Sequence, residues 1–268
     1  MRWKNLTAKE FPEAVRKAKG VCLLPVGILE KHGDHLPLGT DLLYADKTAE
    51  LASKKEPVIV FPIYYFWQIY EAKHTPGTVA IKPEITLELL ESVCDEIARN
   101  GLKKIIIFNG HGGNWHLLSY FAQCTLSKKK DYIVYLTHWA ASVPKYGKML
   151  KKIIKKGDGH GGTSETAAIM ALFPKLVKMK DIWNKPSNPL RRLPYSNSEL
   201  YTGIWWYADF PEHYGGDGRY GNKKIGKMMV KYEIEHLVEV IKTVKKDDMA
   251  LKLQNEFFNR VDNLTKIK

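Results

Sequence analysis

The chain has 268 residues, 44% of them apolar and 26% charged, which excludes a wholly disordered polymer and fits one or two globular domains. Lysine and arginine number 42 against 29 acidic residues, and the net +13 points to an anionic partner without choosing among nucleic acid, membrane surface and substrate. Three cysteines (Cys22, Cys94, Cys124) without CxxC spacing favour a reduced, cytoplasmic compartment.

The opening segment lacks the apolar run and small-residue cleavage site of a signal peptide. The apolar stretches fall far short of the roughly 20 residues of a membrane span. Residues 20–27 (GVCLLPVG) form a continuous apolar run between glycines, as in a strand buried on both faces. A helical stripe follows over 41–54, then strand character over 57–65 (PVIVFPIYY). Leu87, Leu90, Val93 and Ile97 mark a helix over 86–100, stopped by Asn100-Gly101. A third strand is expected over 104–108, a helix over 115–126 and a fourth strand over 132–136. This alternation predicts one α/β domain with a mostly parallel sheet covered on both faces. Residues 182–222 break the pattern as a long irregular excursion, which at that length is functional or disordered. Its aromatics, Tyr201, Trp205, Trp206, Tyr207, Phe210 and Tyr214, argue for order. From Asn222 onward the pattern is helical.

Three loops carry the chemistry. After the first strand come Glu30 and His32, two apart and so on one side of extended backbone, with His35 and Asp41 in the glycine-punctuated loop beyond. After the third strand comes Asn109-Gly110-His111-Gly112-Gly113-Asn114, whose glycines allow close backbone approach. The third loop, Gly159-His160-Gly161-Gly162-Thr163-Ser164-Glu165-Thr166, opens a helix with Thr163 as the expected N-cap and Glu165 in the first turn. Carboxylates with imidazoles are the ligand set of a divalent transition metal such as Zn, Mn or Fe. Ligands in an open α/β sheet sit beyond the strands' carboxyl ends. Glu30, His32, Asp41, His111, His160 and Glu165 exceed what one ion needs, so two ions bridged by Asp41 are expected.

The motifs LLPVGILEKHGDHLPLGTD, HTPGT (74–78), IIIFNGHGGN and GHGGTSET, in this order across residues 20–170, resemble the creatininase (creatinine amidohydrolase) superfamily. The resemblance implies a three-layer α/β/α sandwich, often hexameric, with a metal-dependent hydrolytic site. It implies metal ligands at Glu30, His32, Asp41 and His111, and an acid/base histidine at His160. Two positions depart from creatininase itself: Gly113 and Gly159 stand where it carries acids. Glu165 is the nearest substitute ligand, and the departures point away from creatinine as substrate. Other members hydrolyse a pyrimidine-nucleotide formamide, trim a modified peptide or open an inositol-derived diketone.

The lysine runs at 128–130 and 151–156 read as solvated faces, and Cys22, Cys94 and Cys124 as packing residues. Trp205, Trp206 and His213, beside acids and Arg219, suit a hydroxylated ring or, equally, an oligomer contact. The expected activity is metal-assisted attack of water on a carbonyl carbon of a small polar ring, with His160 protonating the leaving atom. C–C hydrolysis of a cyclic polyol diketone is slightly preferred over C–N hydrolysis of a cyclic amide or formamide. The rival from another class is a non-catalytic, basic nucleic-acid-binding protein. The expected partners are a small-molecule substrate and further copies of the chain, with neither nucleic acid nor membrane.

Overall fold

The apolar run after Gly20 folds as β1 (Val21–Val26), buried at every position. The computed structural model describes residues 1–195 and 200–264. β1 pairs in parallel with β2 (Ile59–Val60) on one side and β3 (Lys104–Asn109) on the other, and β3 pairs in parallel with β4 (Ile133–Thr137). The order β2-β1-β3-β4 places a topological switch between β1 and β3, where such sheets bind ligands.

Alternation along the strands divides the core in two. Cys22, Leu24, Ile105 and Ile107 pack against α1 (Phe11–Lys17), α3 (Pro83–Arg99) and α4 (Trp115–Cys124). Val21, Leu23, Ile106 and Phe108 face α2 (Thr40–Ser53) and α8 (Lys223–Lys246). The result is the expected three-layer α/β/α arrangement. The remaining helices are α5 (Pro144–Ile153), α6 (Thr163–Leu172), α7 (Trp205–Asp209) and α9 (Ala250–Val261). No helix of the described residues is long and apolar enough to cross a membrane.

Three local expectations are corrected. The strand expected over 57–65 pairs regularly only at Ile59–Val60, because Pro62 has no N–H to give a ladder. Tyr64 still bridges Val26, so the segment follows β1 to its end. Lys130 is buried rather than solvated, with Nζ 2.6 Å from Glu91 and 2.8 Å from Asp95. Gly162, not Thr163, caps α6, since the Thr163 hydroxyl is committed to the Lys156 and Asp217 carbonyls.

The excursion is bound to the loop before α6: Gly215 N–H donates to the His160 carbonyl and Asp217 N–H to that of Gly157. Its residues 196–199 lie outside the described residues.

α6 crosses α8 at Gly226, where a β-carbon would lie 1.8 Å from the Ala167 carbonyl oxygen. Gly226→Ala should therefore force the helices apart. A loss of about 2–3 kcal/mol of stability is expected, read as a lower denaturant midpoint. An unchanged midpoint would show that the crossing tolerates the extra carbon.

Candidate active site

β1 and β3 end side by side at the switch point, so the segments that follow them deliver their side chains to one place. Glu30 and His32 come from the segment after β1, Asp41 from the first turn of α2 and His111 from the turn after β3. Glu30 and His32 are fully buried, with Asp41 3% and His111 7% exposed. α6 brings Glu165, and the loop before it His160.

Asp41 stands at the centre. Its Oδ1 lies 3.1 Å from His32 Nε2, and its Oδ2 2.8 Å from His111 Nδ1. Glu30 Oε1 is 2.7 Å from the same His111 nitrogen. His32 Nε2 also has Glu165 Oε2 at 3.7 Å and Glu30 Oε1 at 3.8 Å. Yet none of these three oxygens is aligned for a hydrogen bond with it. Three carboxylate oxygens around one unbonded imidazole nitrogen match a ligand sphere better than an ion pair. Spacings of about 3–4 Å are those of ligands about 2 Å from a shared ion. Glu30, Asp41 and His111 form one group that could hold a metal, His32, His160 and Glu165 another, and Glu30, His160 and His213 a third.

The electrostatics call for positive charge at this centre. Burial alone would lower the His32 pKa, but Asp41, Glu165 and Glu30 override it and lift it to about 10. His111 is likewise carried well above the ordinary range, against burial, by Glu30 and Asp41. Burial, helped by Asp41 and Glu30, pushes the Glu165 carboxyl up to about 7. Its Oε2 also accepts the Gly161 N–H at 2.6 Å, so the helix-start role coexists with its place in the cluster.

The two outer histidines have fixed tautomers. His160 Nε2 lies 2.7 Å from the Lys31 carbonyl, which only accepts, so Nε2 carries the proton and Nδ1 the lone pair. Burial and the neighbouring His32 push this imidazole down to about 3, so it is neutral. Trp206 Nε1–H donates to His213 Nδ1 (2.8 Å), which leaves the proton on Nε2 facing Glu30 Oε2 at 2.5 Å. His213 is buried and held at φ 50°, a left-handed backbone that residues with a β-carbon avoid. Trp206 and His213 thus orient Glu30 from behind, as outer partners do for metal ligands.

A cavity of about 1530 Å³ opens over the cluster, and Trp205, Trp206 and His213 of the excursion line it. His35, from the first motif, turns away to Thr166.

The profile of the creatininase family, described as creatinine amidohydrolase, matches residues 4–241. The chain belongs to the creatininase family. It is accordingly an enzyme of this metal-dependent hydrolase superfamily, which displaces the non-catalytic nucleic-acid-binding alternative. The creatinine amidohydrolase of Pseudomonas putida is 25% identical over 198 residues, 68% of this chain and 75% of that protein. The 3-dehydro-scyllo-inosose hydrolase of Thermotoga maritima is 26% identical over 228 residues, 80% and 69% of the two chains. A crystal structure of creatininase superposes with a TM-score of 0.77 at 20% identity, over 92% of this chain and 98% of that one. Solved creatininases of this fold include a manganese form and a mutant of Zn-Zn type.

Both departures from creatininase have a physical setting in this chain. Gly159 has φ 127°, and a β-carbon there would lie 2.1 Å from the Gly215 carbonyl oxygen, so no acid fits. A β-carbon at Gly113 would lie 2.6 Å from His111 Nε2 and 3.2 Å from Glu71 Oε1. A carboxylate from another segment thus stands next to the position where creatininase carries its acid. Sequence reasoning missed Glu71, which follows an aperiodic stretch and shares no motif with the cluster.

Proposed function

We propose that Glu30, Asp41 and His111 hold one divalent transition ion (Zn, Mn or Fe), and His32, Asp41 and Glu165 a second. The observation that carries this reading is the division of Asp41, with one oxygen toward His32 and the other toward His111. When bound, such ions polarise a carbonyl and lower the pKa of water.

The protein's own groups supply the remainder. Glu30 is kept in position by the Nε2–H of His213. His160 Nδ1 is free to take the proton of the attacking water and return it to the leaving atom. The substrate in this reading is a small polar ring bearing a carbonyl, with a cyclic polyol diketone preferred. Water adds to one carbonyl carbon, the ring C–C bond breaks, and its electron pair passes to the neighbouring carbon, stabilised by the second carbonyl. Trp205, Trp206, Tyr201 and Tyr207 on the cavity wall support a ring substrate, their faces packing on C–H surfaces. The inosose hydrolase relative, matched over 80% of this chain, supports the polyol. The creatinine amidohydrolase relative favours a second reading, C–N hydrolysis of a cyclic amide or formamide. Assembly into a homo-oligomer is part of the proposal, supported by the exposed Tyr201, Ile204, Trp205 and Tyr207.

A substrate screen separates the two readings. Metal-reconstituted enzyme should open inositol-derived ketones with turnover of about 1–10³ s⁻¹ and leave creatinine intact. Turnover confined to cyclic amides or formamides would replace the first reading with the second.

A further inference from the structure

One buried acid beside the cluster has no part in that chemistry. Glu233 lies on α8, 1% exposed, and lines the same cavity as Glu30, Asp41 and His111. Its Oε2 accepts both the Tyr44 hydroxyl and the Ala140 backbone N–H, each at 3.0 Å. Its Oε1 has no partner among the described residues. No lysine, arginine or histidine pairs with it among those residues either. Tyr44 lies three residues beyond Asp41 on α2, so the two share a helix face, and through the Tyr44 hydroxyl Glu233 is tied to the helix that carries Asp41. The cavity wall here is largely apolar: Trp139, Ala140, Ala141 and Met229, the last one turn before Glu233.

A carboxylate buried this deeply is costly unless both oxygens are met. A mere tie between α8, α2 and the 140–142 turn uses Oε2 alone and gives Oε1 no purpose. The cavity is where a partner can arrive. We propose that Glu233 Oε1 is a recognition site for a hydrogen-bond donor, hydroxyl or ammonium, carried by the substrate away from its reacting carbonyl. The word substrate rests on the hydrolase reading, which this inference sharpens: against the ionised carboxylate a ring offering only acceptors leaves Oε1 unpaired and is rejected.

The test uses ring compounds without a scissile bond, so its outcome does not depend on turnover. Zinc-loaded protein is titrated with cyclohexylammonium, cyclohexanol and cyclohexanone, followed by NMR. The pH is 8.5, above the value of about 7 to which burial pushes the Glu233 carboxyl. At least one donor should bind about tenfold more tightly than the ketone, and the better of the two identifies a charged or a neutral group. Glu233→Gln keeps a carbonyl for Tyr44 and Ala140 but places an NH2 where Oε1 stands. Its preference should invert toward the ketone, with metal content and unfolding midpoint unchanged. Equal binding of donors and ketone by the unsubstituted protein would overturn the proposal even if the variant failed to fold. So would an unaltered preference in a folded variant. Zinc content measured on the same samples reports separately on the metal cluster.

Discussion

Asp41→Ala should release both metal ions and lower turnover by at least about 10³-fold, the scale of several kcal/mol of lost metal assistance. Both halves of the cluster meet at this side chain, with His32 Nε2 at 3.1 Å from one oxygen and His111 Nδ1 at 2.8 Å from the other. The fold should survive, because α2 is anchored to the sheet and α8 by Ala45, Ala49 and Ala52, not by Asp41. Elemental analysis and circular dichroism of the purified variant check both parts. A variant that kept both ions would remove Asp41 from the bridging position.

His160→Ala should have the opposite profile, with metal retained and turnover lowered by about 10²–10⁴-fold. His160 Nε2 is spent on the Lys31 carbonyl, and the ring, 4.3 Å from that of His32 and 4.5 Å from that of His213, borders the cluster. With Nε2 so engaged, Nδ1 is the atom left to collect a proton and pass it on. Glu165→Gln should instead weaken one ion of the two, through the oxygen that now stands 3.7 Å from His32 Nε2. Equal metal loss in the two variants would show this division of roles to be wrong.

Most of what positions the site is legible in the residues. The apolar runs at 20–27 and 104–108 are β1 and β3, because strands buried on both faces leave no polar alternation to obscure them. The glycine-bounded loops after them read as a site because Glu, His and Asp at strand ends have few structural uses in such number. The shortened β2 was not legible, since the branched residues around Pro62 carry strand character whether or not a ladder forms. Lys130 reads like its exposed neighbours Lys128 and Lys129, and only the approach of Glu91 and Asp95 from α3 distinguishes it. Glu233 was hidden for the same reason. On a long helix rich in lysine and glutamate it is indistinguishable from a surface acid until Tyr44 and the 140–142 turn close over it. His213 was visible as a member of an aromatic segment. Its grip on Glu30 spans 183 residues and has no local signature.

The most direct test is the metal content of the purified, active protein. Elemental analysis should find about two Zn, Mn or Fe ions per chain, and strong chelation should abolish turnover, with activity returning on metal addition. Protein without stoichiometric transition metal that stayed fully active in chelator would contradict the account.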